Sequence, residues 1–172
     1  MITKEQLMPF CSTDECRPML LKPWTRGAFT YATNGRIIVR LAAMPDVEEC
    51  PSAPDAGKMM ALYKPATRLV PIPELQPNPI SRIIECVECD GSGIVECDYG
   101  HEHQCPECDG SGKEEKIDCI KMKIGSRIIN AKYLHMIRDL PNVMIQEDGE
   151  AMDNMQFTFD GGVGMISPMR FE

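Results

Sequence analysis

The octapeptide C-x-E-C-D-G-S-G occurs twice, from Cys86 to Gly93 and from Cys105 to Gly112, with fifteen residues between the two C-x-x-C pairs. Thiolates bind soft and borderline cations, and tetrahedral Zn²⁺ takes four of them at about 2.3 Å. One C-x-x-C turn supplies two ligands, so two turns supply a closed shell. The spacing is that of known zinc-binding patterns and predicts a structural zinc site of Cys86, Cys89, Cys105 and Cys108. Gly91, Gly93, Gly110 and Gly112 fit this reading, because a chain folding back around a thiolate needs positive φ and close backbone approach. Four thiolates leave no coordination position for substrate or activated water. The metal is therefore expected to be structural, and the chain to be no enzyme. The rival chemistry for such pairs is a redox dithiol, which needs one reactive pair rather than two matched ones.

Cys97, His101 and His103 lie between the two turns, and all three are competent donors for a second metal. No fourth donor is evident, so the same residues also read as a polar loop tip. Cys11, Cys16, Cys50 and Cys119 have no partner spacing and read as small core residues or free thiols. Met59, Met60, Met152 and Met155 suit either an adaptable binding surface or core filling. Trp24 suits a partner anchor or a residue packed on a sheet. No phosphate-binding loop, Ser-His-Asp arrangement or catalytic carboxylate pair stands out.

Charge separates the cysteine-rich segment from the rest. Ten acidic residues and two lysines lie between Glu85 and Lys116, a net charge of −8 that equals that of the whole 172-residue chain. A module that reads nucleic acid needs basic groups to replace phosphate counterions, so this one is expected to meet a protein partner or to play a purely structural role instead. Nine cysteines would suit an oxidised secreted protein. The segment from Met1 to Lys22, however, is broken by charges and prolines and has no apolar signal core. No stretch reaches the roughly 18 apolar residues of a membrane span. A reducing cytoplasm is expected, where C-x-x-C pairs are metal ligands or redox centres.

The surrounding elements must position these residues. Thr3 and Gln6 form a capping box before a short helix. Asn34-Gly35, between Ala28–Thr33 and Arg36–Leu41, predicts a hairpin. The proline-rich stretch 45–81 predicts an extended connection, part of it packed on the core. After the cysteine module, strands are predicted over 117–124 and 127–129, with Gly125-Ser126 between them. Asn130 then caps a helix from Ala131 to Leu140, whose Tyr133, Leu134, Ile137 and Leu140 share a face. Strands over 143–146, 155–159 and 163–167 follow. The expected fold class is α+β: residues 1–81 and 117–172 form one domain, interrupted by an inserted zinc-binding β-hairpin module at 82–116.

Two resemblances bear on this reading. The units C-V-E-C-D-G-S-G and C-P-E-C-D-G-S-G resemble those of the cysteine-rich domain of DnaJ-type chaperones, which implies one zinc site here; the C-x-x-C pairs themselves raise a thiol-disulfide oxidoreductase or chaperone-like protein as the alternative function. The run from Tyr31 to Ile37, the segment from Lys132 to Pro141, Phe157-Thr158-Phe159 and the ending from Gly164 to Phe171 look like parts of bacterial sliding DNA clamps. That resemblance implies a clamp-like domain of two β-α-β-type halves and a phage or DNA-replication setting. It also implies DNA contact by the clamp-like domain, with Lys4, Lys132 and Arg138 as the basic helix residues.

Overall fold

The computed structural model describes residues 2–66, 68–75, 81–97, 99–117 and 120–170, with the side chains of 81, 116 and 117 excepted. The expectations placed on Pro77, Pro79, Asp98, Cys119 and Phe171 lie outside the described residues. The chain divides into two units, one of Met1–Gln76 with Lys121–Glu172 and the other Pro77–Ile120.

In the first unit the elements run α1 (Lys4–Leu7), a 3-10 turn (Met8–Phe10), a second 3-10 turn (Pro18–Leu20), then β1 (Trp24–Arg26), β2 (Phe29–Thr33), β3 (Ile37–Ala42), α2 (Ala56–Met60) and β4 (Leu69–Pro71). The second unit holds β5 (Ser81–Glu85), β6 (Ile94–Glu96), β7 (Glu102–Gln104) and β8 (Lys113–Ile117). The chain then returns to the first unit with β9 (Lys121–Ile124), β10 (Arg127–Asn130), α3 (Ala131–Arg138), β11 (Met144–Gln146), β12 (Met155–Phe159) and β13 (Gly162–Ile166).

Local signals set the turns and caps. The Thr3 hydroxyl accepts from the Gln6 N–H, and the Gln6 side chain accepts from the Thr3 N–H at 3.0 Å, closing the box. Pro9 then falls in a 3-10 turn, which ends the helix after four residues. Asn34 Oδ1 accepts from the Arg36 and Ile37 N–H groups. Gly35 adopts φ +88°, the conformation the β2–β3 turn requires. Asn130 Oδ1 accepts from the Lys132 N–H at 3.0 Å and starts α3, which stops at Arg138.

The expected α+β fold of two β-α-β halves is overturned. The three α-helices among the described residues have four, five and eight residues, and the unit is dominated by one seven-stranded sheet in the order β1-β2-β3-β13-β12-β11-β4. Every strand pairing in that sheet is antiparallel. A β-α-β half needs a helical crossover between parallel strands, and none occurs among the described residues.

The physical reason is connection length: two or three residues join β1 to β2, β2 to β3 and β12 to β13, which permits only antiparallel pairing, and both faces of the resulting sheet are covered. Leu7, Phe10, Val39, Ile129, Leu134, Ile137, Ile145 and Phe157 pack in one buried cluster, while Trp24, Tyr31, Ile38, Ala53, Ala56, Met60 and Met165 pack in another. Residues adjacent on one strand, Ile38 and Val39, thus enter different clusters, as side-chain alternation demands. The proline-rich stretch is consequently more than a connection: it contributes α2 to the second cluster and β4 as an edge strand on β11. The predicted strand over 117–124 is likewise two strands, with Ile117 ending β8 and Lys121 opening β9.

Arg127 is fully buried. Its Nε donates to the Asp153 carbonyl at 3.0 Å and its Nη2 to Gln146 Oε1 at 3.3 Å, which ties β10 to β11 and to the segment between β11 and β12. No helix among the described residues is long and apolar enough to cross a membrane.

Candidate metal centre

Within the second unit, β5 pairs with β8 and β6 with β7, and the two cysteine turns lie between these ladders. The turns are near copies. Gly91 N–H donates to the Cys86 carbonyl and Gly110 N–H to the Cys105 carbonyl, both at 3.1 Å. Ser92 Oγ donates to the Cys89 carbonyl and Ser111 Oγ to the Cys108 carbonyl, both at 2.7 Å. The copies also exchange bonds, since Cys86 N–H donates to the Gly112 carbonyl at 3.0 Å and Cys105 N–H to the Gly93 carbonyl at 2.9 Å. A repeated octapeptide thus becomes two turns related by an approximate twofold.

Asp90 and Asp109 take φ of +48° and +49°, a left-handed conformation that Asp tolerates better than most residues. Gly93 and Gly112 have a second constraint. A Cβ on Gly93 would strike the Gly110 carbonyl and one on Gly112 the Gly91 carbonyl, so only glycine lets the turns approach.

Cys86, Cys89, Cys105 and Cys108 are all buried. Their sulfurs all lie within 4.8 Å of one another, with Cys86 Sγ to Cys105 Sγ and Cys89 Sγ to Cys108 Sγ both at 3.8 Å. A cystine bond would bring two sulfurs to about 2.05 Å. Tetrahedral arms of about 2.3 Å place sulfurs about 3.8 Å apart. The spacing is that of a four-sulfur cage, and these cysteines could hold a metal ion such as zinc.

Electrostatics agree with a cation site. Burial opposes the Cys89 thiolate, but the Gly93 N–H at 3.2 Å and the neighbouring sulfurs outweigh it and lower the thiol to about 7. Cys86 is pushed up by the adjacent Glu114 carboxylate and by burial, and Cys105 chiefly by burial. Four thiolates cannot share this buried space without a compensating positive charge. Gly112 N–H donates to Cys108 Sγ at 3.2 Å, matching the Gly93 contact.

Cys97, His101 and His103 are also brought together, with their ligand atoms within 4.8 Å of one another on the β6–β7 hairpin. Cys97 is half-buried and the two histidines are exposed. The N–H groups of Tyr99 and His101 favour the Cys97 thiolate and lower its pKa.

The remaining candidates scatter. Cys11 is buried, Cys16 exposed and Cys50 half-buried. Met60 and Met155 lie in the core, whereas Met59 and Met152 are exposed. Trp24 is buried and stacks on Tyr31 with ring centroids 6.0 Å apart, which makes it a packing residue. Of the basic helix residues, Lys132 Nζ sits 4.9 Å from the Tyr133 ring centroid and Arg138 Nε lies 3.5 Å from Asp139 Oδ1. Sequence reasoning missed Glu114 as a neighbour of Cys86, because only the β5–β8 register, with Glu114 opposite Ile84, brings it there. No protein-family model matches the chain, and no curated protein matches it.

Proposed function

We propose that the chain is a non-enzymatic zinc-binding protein that acts through protein-protein contacts made by its acidic second unit. The observation that carries this reading is the cage of four buried sulfurs at tetrahedral spacing. Such a cage closes the coordination shell and makes the ion a structural strut. Around it the unit presents exposed apolar side chains, Ile83, Val87, Ile94 and Tyr99, among exposed carboxylates including Glu85, Glu88, Glu96 and Glu107. Exposed apolar groups in an acidic field suit a partner surface that carries basic groups around apolar contacts.

Burial of all four sulfurs weighs against the redox reading, since reactive thiols are partly accessible. The test is affinity capture with the zinc-loaded full chain. A specific partner is expected, released by salt and lost after chelation or when Val87 and Tyr99 are both replaced by Ser. Capture that survives removal of the metal and of these side chains alike would refute the proposal. So would insulin reduction by the zinc-loaded chain.

A further inference from the structure

Three donors converge at the tip of the β6–β7 hairpin, and register explains why. Val95 pairs with His103 and Glu96 with Glu102. The next rung is formed by Cys97, whose N–H donates to the His101 carbonyl at 3.0 Å. Side chains alternate along a strand, so Val95 and Cys97 on one strand share a face with His101 and His103 on the other. Gly100 closes the tip by donating its N–H to the Cys97 carbonyl at 2.8 Å, with φ +75°. One thiol and two imidazoles are thereby collected within 4.8 Å, the imidazoles exposed and the thiol half-buried. The two rings stand nearly perpendicular, 87° apart, with centroids at 6.5 Å, so they meet edge to face rather than stacking against each other.

We propose that this tip is a second zinc site, open where the first is closed, with Cys97 Sγ and one ring nitrogen each from His101 and His103 as ligands and water in the fourth position. Three protein ligands and a water are the pattern of zinc sites whose metal meets exogenous groups, and a mixed sulfur and imidazole set suits zinc among the divalent ions. The site is exposed and lacks a fourth protein donor among the described residues. It therefore holds its ion more weakly than the four-cysteine cage and exchanges it with the medium.

The experiment is zinc titration of the reduced full chain, followed by native mass spectrometry and competition with chelators of graded strength, then repeated with cobalt. The expected result is two equivalents, the second released by a weak chelator that leaves the first in place. Replacing both histidines, His101→Ala with His103→Ala, is expected to weaken the second equivalent at least about 100-fold, the upper end of what loss of a mere outer-shell partner costs. The first equivalent should be unaffected. Cys97→Ser should remove the thiolate-to-cobalt band that belongs to the second equivalent. Saturation at one equivalent, or a second equivalent undiminished in the double variant, would overturn the proposal while leaving the cage intact. A weak equivalent lost with the histidines, in a chain with no tight one, would support the open site and sink the four-cysteine reading instead.

Discussion

Metal removal is expected to unfold the second unit and spare the first. Among the described residues, the buried side chains of the second unit form one cluster, the four cysteines, with Val95 packed against it. Burying Val95 contributes at most about 3 kcal/mol. A ligand that binds only the folded state, held free at about 1,000 times its Kd, contributes about 4 kcal/mol, so the metal outweighs the apolar core. That energy corresponds to roughly a thousandfold in an opening equilibrium. Amide hydrogen exchange of the full chain, with and without chelator under reducing conditions, reads it directly. The reporters are the N–H groups of Cys86, Gly91, Gly93, Cys105, Gly110 and Gly112, each bonded within or between the two turns. Their protection should fall about a thousandfold on chelation at that metal concentration. Amides of β3, β12 and β13, held in the sheet, should keep theirs. Turn amides that stay protected after the metal has gone would refute the reasoning, since some other force would then be holding the cage.

Three further outcomes are expected. Gly93→Ala or Gly112→Ala drives a methyl into the facing turn's carbonyl at a left-handed φ, costing upwards of about 1–2 kcal/mol from backbone conformation alone. Zinc affinity should drop in chelator competition while Gly27→Ala, whose Cβ would meet nothing within 4 Å, leaves it unchanged. Gly164→Ala places a methyl against the Phe157 ring and the Ile38 carbonyl, an overpacking expected to cost about 1–3 kcal/mol; urea unfolding followed by Trp24, the chain's one tryptophan, measures it. Burial pushes the Cys11 thiol from 9.0 up to about 11, so the folded state keeps its proton where the unfolded chain loses it. The resulting stability is present below pH 9 and lost as pH rises towards 11, at roughly 1.4 kcal/mol per unit. Comparing Cys11→Ala with the parent across that range checks the sign.

The features legible in the sequence are those whose causes are local. The Thr3–Gln6 box, the Asn34-Gly35 turn and the Asn130 cap each depend on residues within a few positions, and each forms. The cysteine turns are legible for the same reason, as the repeat encodes every hydrogen bond inside them. Sheet order is not local. β1 and β4 have three residues each, too short to show alternation, and exist because β2 and β11 supply their partners. β4 even contains Pro71, which an edge strand accepts. Helical patterns at Thr3 and Ala131 gave the correct element type but overstated what it builds, because periodicity reports a face and says nothing of the antiparallel sheet that face covers. Cys97, His101 and His103 were legible as donors, yet their shared face follows from the β6–β7 register.

Whether four sulfurs surround one ion is read by zinc K-edge X-ray absorption on the chain loaded with one equivalent. The expected spectrum shows a single shell of four sulfurs at about 2.3 Å. A shell containing nitrogen or oxygen neighbours at about 2.0 Å would contradict it, as would reduced chains that take up no zinc.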